Sequence, residues 1–65
     1  MQILVNGERL TTDASSLDDL CRALGFTDEK IATAVNGAVV AATARARTPL
    51  TEADEIEIVA PRQGG

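Results

Sequence analysis

The 65-residue chain has no His, Trp or Tyr, one Cys and one Phe. Each shortage removes a class of function. Without His, neither a Ser-His nor a Cys-His nucleophile can be assembled from this chain. The same lack, beside a lone Cys21, leaves no zinc ligand set and no internal disulfide. Basic residues are also scarce: 6 Lys and Arg stand against 10 Asp and Glu, a net charge of −4. Few cations would meet phosphates and no rings are free to stack on bases, so nucleic acid is not an expected partner. The longest apolar run, Ala38 to Ala42, falls far short of the ~20 residues that span a bilayer. The N-terminal Met1-Gln2-Ile3-Leu4-Val5 has neither a basic n-region nor a signal-length apolar stretch. Phosphate-cradling G-x-x-x-x-G-K-[ST] and G-x-G-x-x-G patterns are missing too. Carboxylate pairs remain, but so short a chain has little with which to close a cleft around them. The expectation is a soluble cytoplasmic domain with no membrane partner, no metal or cofactor of its own, and no catalysis by this chain alone.

What is present suits one small core. Hydrophobic residues make up 45% of the chain, and a domain of this size buries only about 60% of its unfolded surface. Met1 to Thr12 reads as a hairpin: Ile3 and Val5 alternate with Gln2, Leu4 and Asn6, and Asn6-Gly7 is the strongest short hairpin signal. Ser15 or Ser16 is a suitable N-cap, each with an Asp three residues on. The period then becomes helical. Leu17, Leu20, Cys21 and Leu24 fall at i, i+3, i+4 and i+7 on one stripe, with Asp18, Asp19 and Arg22 facing away. Gly25 sits where a left-handed residue ends a helix, and Phe26 can fold back on that end. A third strand at Ile31 to Val35 ends in a second Asn-Gly turn, Asn36-Gly37, and Val39-Val40 return. Ala41 to Thr48 reads as a loop beside an edge, and Pro49 bars that position from a central strand. Glu55 to Ala60 is the last strand, with Ile56 and Ile58 on one face and Glu55, Glu57 and Val59 on the other.

The order is β-β-α-β-β-β. One apolar stripe needs one apolar sheet face, which gives a two-layer α+β domain. The segments at 2–5 and 55–60 carry the densest branched aliphatics and read as adjacent central strands, parallel because a long crossover joins them. The predicted fold is therefore α+β, a β-grasp or ubiquitin-like domain over residues 1–60: a small mixed sheet packed on one amphipathic helix. The predicted core sets Leu17, Leu20, Cys21 and Leu24 on Ile3, Val5, Ile56 and Ile58.

Residues 61–65, Pro61-Arg62-Gln63-Gly64-Gly65, read as a flexible tail. A terminal Gly pair is also what a plain unstructured end looks like. Its functional reading has a physical logic. Gly lacks a Cβ, so a Gly-Gly end can thread a narrow channel and present its carboxylate to a nucleotide held by another protein. A carboxylate is inert as an electrophile until it is activated, most simply by adenylation. On this reading Gly65 is the reactive group, Gly64, Gln63 and Arg62 line the tail, and the fold is a handle.

Met1-Gln2-Ile3-Leu4-Val5-Asn6-Gly7, the stretch Ala34 to Val40, Leu50-x-Glu52-x-Asp54-x-Ile56-Glu57-Ile58-Val59, and Gly64-Gly65 together resemble the ThiS family, the sulfur carriers of thiamin biosynthesis. The resemblance covers nearly the whole chain. It implies a protein co-substrate whose Gly65 is adenylated by a separate ThiF-type enzyme using ATP and Mg. A cysteine desulfurase would supply the sulfur that turns that end into a thiocarboxylate, and thiazole synthase would consume it. Such proteins often carry a Pro-Arg pair and a Trp after the third-strand hairpin, where this chain has Ala41-Ala42 and then Arg45 and Arg47.

Other features have plainer readings beside them. Cys21, on the apolar stripe, is a core residue rather than a sulfur site. Leu4 and Val59 face away from the core residues of their strands; with Glu57 they form a candidate docking patch, unless a short helix or the 41–48 loop covers them. Glu52, Asp54, Glu55 and Glu57 either meet a basic partner or make a solvated face that guards an edge. Alternative functions are a molybdopterin-type sulfur carrier, a ubiquitin-like modifier, or a non-catalytic β-grasp interaction module.

Overall fold

The computed structural model describes residues 1–27 and 30–60. The first strand, β1 (Gln2–Val5), turns through Asn6-Gly7 into β2 (Glu8–Thr11), and the helix α1 (Leu17–Ala23) follows. Next come β3 (Ala32–Val35), β4 (Ala38–Val40), a 3-10 helix (Ala42–Arg47) and β5 (Glu55–Val59). The sheet order is β2-β1-β5-β3-β4. The last strand lies in the middle, parallel to β1 and antiparallel to β3. This is the expected β-grasp arrangement, with the predicted adjacency of the first and last strands. No helix among the described residues is long and apolar enough to cross a membrane.

Local chemistry accounts for the boundaries. Asn6 and Asn36 both have φ 51°, and Gly7 and Gly37 have φ 85° and 84°, the left-handed pair that a two-residue hairpin of matching twist requires. Of the two candidate caps, Ser16 is the N-cap: its hydroxyl accepts from the Asp19 N–H. Ser15 serves differently, donating to the Asp19 carboxylate. At the other end, Gly25 N–H reaches Arg22 C=O and Phe26 N–H reaches Cys21 C=O, the paired bonds of a glycine-terminated helix.

Ile3, Leu17, Leu20, Cys21, Ile56 and Ile58 are buried together, as predicted, with Val5, Phe26 and Val35 packed around them. Two expectations need correction. Leu24 is 39% exposed, because α1 stops at Ala23 and Leu24 overhangs a depression lined by Val5, Glu8 and Leu10. The 41–48 segment is largely a 3-10 helix, and it belongs to the fold. Arg45 projects from it to donate to Thr33 Oγ1 at 3.0 Å and to the Ile31 carbonyl. The Thr33 hydroxyl in turn donates to the Val40 carbonyl, so a hydroxyl on the apolar face of β3 is fully satisfied. Cys21 is buried in the core, and that burial pushes its thiol pKa up, with Arg45 opposing.

Leu50, only 6% exposed, joins the core without having been predicted for it. Residues 48–50 run antiparallel to the helix entry: Leu17 N–H donates to Thr48 C=O, and Leu50 N–H to Ser15 C=O. That pairing turns Leu50 inward. Asp54 is buried as well, its carboxylate taking the Thr51 N–H at 2.8 Å, the Thr51 hydroxyl at 2.9 Å and Asn36 Nδ2 at 3.0 Å. These donors, the Thr51 backbone first, hold its pKa below the ordinary carboxylate value.

Two outcomes follow from this packing. Leu20→Ala should destabilise by roughly 2–5 kcal/mol, the range for a buried Leu, whereas Leu24→Ala should cost far less; urea unfolding of both variants checks the contrast. The second concerns pH. A carboxyl whose folded pKa is depressed contributes stability above its unfolded value, about 3.9, and loses it as pH falls through the folded pKa. The urea midpoint should therefore drop below about pH 4, and Asp54→Asn should flatten that drop while lowering the midpoint at neutral pH.

Candidate functional site

With α1 covering one face of the sheet, the other face is open. Alternation in β5 sends Ile56 and Ile58 to the core and leaves Glu55, Glu57 and Val59 on the open side. Leu4 lies between core-facing Ile3 and Val5 and pairs with Glu55, so it shares this face. Val59 is 60% exposed and nothing covers it among the described residues; Leu4 is half-buried.

The three predicted docking residues are thus on one face, but Leu4 and Val59 do not form one apolar patch. Leu4 pairs with Glu55, whereas Val59 pairs with Ala32 at the far end of β5. Four residue steps along the strand separate the two positions, roughly 13 Å at 3.3 Å each, with Glu57 between them. The apolar neighbours of Val59 come instead from β3 and β4: Ala32, Ala34 and Val39 line a shallow depression with Val59 and Glu57. Val39 is 85% exposed. Sequence reading missed it because Val39-Val40 shows no alternation long enough to assign a face.

The predicted acidic cluster divides in the same way. Asp54 is internal, and the Glu52 carboxylate accepts the Gln2 N–H. Glu55 and Glu57 remain as exposed carboxylates of the open face.

The far end of β5 is where the tail begins, and there the structure adds a residue read from the sequence only as a turn former. The Asn6 carboxamide accepts the Ile58 N–H at 2.9 Å and donates to the Ile58 C=O at 3.1 Å. Asn36 holds the other end of the strand, accepting the Glu55 N–H at 2.9 Å and donating to Asp54. Arg62, Gln63, Gly64 and Gly65, the predicted tail and reactive site, lie outside the described residues. Among the described residues no cluster of His, Cys, Asp and Glu is arranged to hold a metal.

The topology defines the class: a ubiquitin-like β-grasp protein with one covered and one open sheet face. Comparison with known proteins narrows it. The model of the ThiS family matches residues 2–65. The structure is similar to that of the thiamine biosynthesis protein (ThiS) from Geobacter metallireducens, with 30% identity over 100% of both chains and a TM-score of 0.80. A search of curated proteins gives no match. The chain belongs to the ThiS family, the small sulfur carriers of thiamin biosynthesis.

Proposed function

We infer that this chain carries sulfur on the carboxylate of Gly65, in the cytoplasm, as a protein co-substrate rather than a catalyst. The observation that carries this reading is the family match, which runs through residue 65. A carboxylate oxygen of Gly65 attacks the α-phosphate of ATP, held with Mg by a ThiF-type adenylating enzyme, and pyrophosphate leaves. The terminal sulfur of a persulfide, loaded by a cysteine desulfurase, then attacks the acyl carbon and expels AMP, giving an acyl disulfide. A second thiol attacks its S–S bond, becoming a disulfide and leaving sulfur on the carbonyl of Gly65. The resulting thiocarboxylate donates its sulfur to thiazole synthase. The chain supplies no catalytic side chain to these steps; it supplies a handle and a reach. Gly64 and Gly65 let the backbone pass beside bound nucleotide without a Cβ in the way, with Arg62 and Gln63 along the same channel. The handle is the open face: Val59 and its neighbours supply apolar contact, Leu4 lies farther along, and Glu55 and Glu57 tune association.

Two experiments test this reading. Val59→Asp places a charge in the apolar depression and touches no core residue, so unfolding should be unchanged while affinity for the adenylating enzyme falls by about tenfold or more, the effect of losing a central contact. Unaltered affinity in a titration would remove this patch from the interface. ATP–pyrophosphate exchange with the same enzyme tests the tail. Gly64→Ala should fold normally and exchange far more slowly, and a chain amidated at Gly65 should not exchange at all. Full exchange by the amidated chain, or an undisturbed carrier after one residue is appended to Gly65, would leave a plain interaction module as the better description.

A further inference from the structure

β1 ends at Val5, and the chain leaves the sheet's centre through Asn6-Gly7. β5 runs on past it. Its Leu4↔Glu55 and Val5↔Ile56 pairings with β1 are complete by Ile56, yet the backbone of Ile58 is still paired on that side, by the Asn6 side chain in both directions. One carboxamide stands in for the peptide unit that β1 no longer has. On the opposite side β3 pairs with β5 as far as Val59.

We propose that Asn6 is a positioning residue for the tail reaction: by holding Ile58 it keeps β5 bonded on both sides to within one residue of the strand's end at Val59. This rests on the carrier reading above. Without the carboxamide, β5 is bonded on both sides only to Ile56. The doubly held strand is then two residues shorter, roughly 6–7 Å at 3.2–3.4 Å per residue. A carrier docked by its open face would present its carboxylate over a wider volume, and a misplacement near 1 Å can cost about 100-fold in rate. The loss belongs in turnover, because Val59 stays paired with Ala32 of β3 and no docking side chain is altered. Asn36 provides an internal comparison. It sits in a turn of the same φ values and holds the start of β5 through Glu55 and Asp54, so it stabilises the strand without touching its exit.

The test varies carrier concentration in ATP–pyrophosphate exchange with the ThiF-type enzyme, with rates expressed per folded molecule from urea curves. Asn6→Gly keeps the left-handed turn, which Gly adopts freely, and deletes both bonds. Asn6→Asp keeps the acceptor and loses the donor. The proposal expects kcat to fall about tenfold or more in Asn6→Gly, with KM for the carrier changed by less than about twofold. Asn6→Asp should fall between Asn6→Gly and wild type, and Asn36→Gly should keep wild-type kcat despite its lower stability. Faster hydrogen exchange at the Ile58 amide in Asn6→Gly and not in Asn36→Gly is the structural counterpart. Wild-type kcat in both Asn6 variants, or equal losses in Asn6→Gly and Asn36→Gly, overturns the role of Asn6 and leaves the carrier reading standing. If Asn6→Gly does not fold, Asn6→Asp decides, and wild-type kcat there overturns the proposal. A wild-type chain that supports no exchange overturns both readings.

Discussion

The backbone pairing of β5 is the constraint on which the rest of this small domain depends. The strand is last in sequence and central in the sheet, so the hairpins β1–β2 and β3–β4 meet only through it. Each hairpin contributes its strand-to-strand hydrogen bonds and also one side chain from its turn. Asn6 reaches Ile58, and Asn36 reaches Glu55 and Asp54. The Asn-Gly turns therefore act twice. Their φ values set the hairpin twist, and their carboxamides hold a strand that is distant in sequence. A domain without disulfides and with a few fully buried aliphatics gains specificity from such satisfied polar contacts, since each would be costly to leave unmade.

Much of this architecture was legible from period and punctuation. Ile3, Leu17, Leu20, Cys21, Ile56 and Ile58 announced themselves by spacing, and the long crossover made β1 and β5 parallel. What local pattern does not carry is contact between distant residues. Leu50 follows a proline in a polar stretch and is drawn inward only because residues 48–50 pair with the helix entry. Arg45 in a small-residue segment gives no sign that Thr33 and the Ile31 carbonyl await it. Leu24 fits the stripe and fails it, because a helix stripe says nothing about where the opposing surface ends.

The candidate site divides the same way. Alternation within β5 was enough to put Glu57 and Val59 on the open face. It was not enough to say what lies beside them, which depends on register: Ala32 and Val39, not Leu4, are the neighbours of Val59. Asp54 shows the converse. It belonged by composition to a surface acidic cluster, yet three donors from Thr51 and Asn36 draw it inside, where it helps turn the chain into β5. Two similar carboxylates three positions apart, Asp54 and Glu57, thus take opposite roles according to the donors available to them.

The composition of the open face bears on the proposed cycle. A carrier that is adenylated, charged with sulfur and then emptied must leave each partner at the rate of the cycle, so tight docking would slow it. An apolar depression built from two Ala and two Val side chains provides limited area, and among the described residues that line it there is no aromatic or Arg anchor of the kind that dominates strong interfaces. In the proposed cycle, Glu55 and Glu57 would add long-range attraction to a basic partner surface, which raises association rate more than residence time. Fast arrival with modest retention places the burden of specificity on what happens after docking, namely whether the chain end reaches the activated phosphate. That is where the exit of β5 matters. A weakly held handle can still deliver its end accurately if the strand that leads to it is held on both sides, and the Asn6 carboxamide at Ile58 provides the side that β1 no longer can.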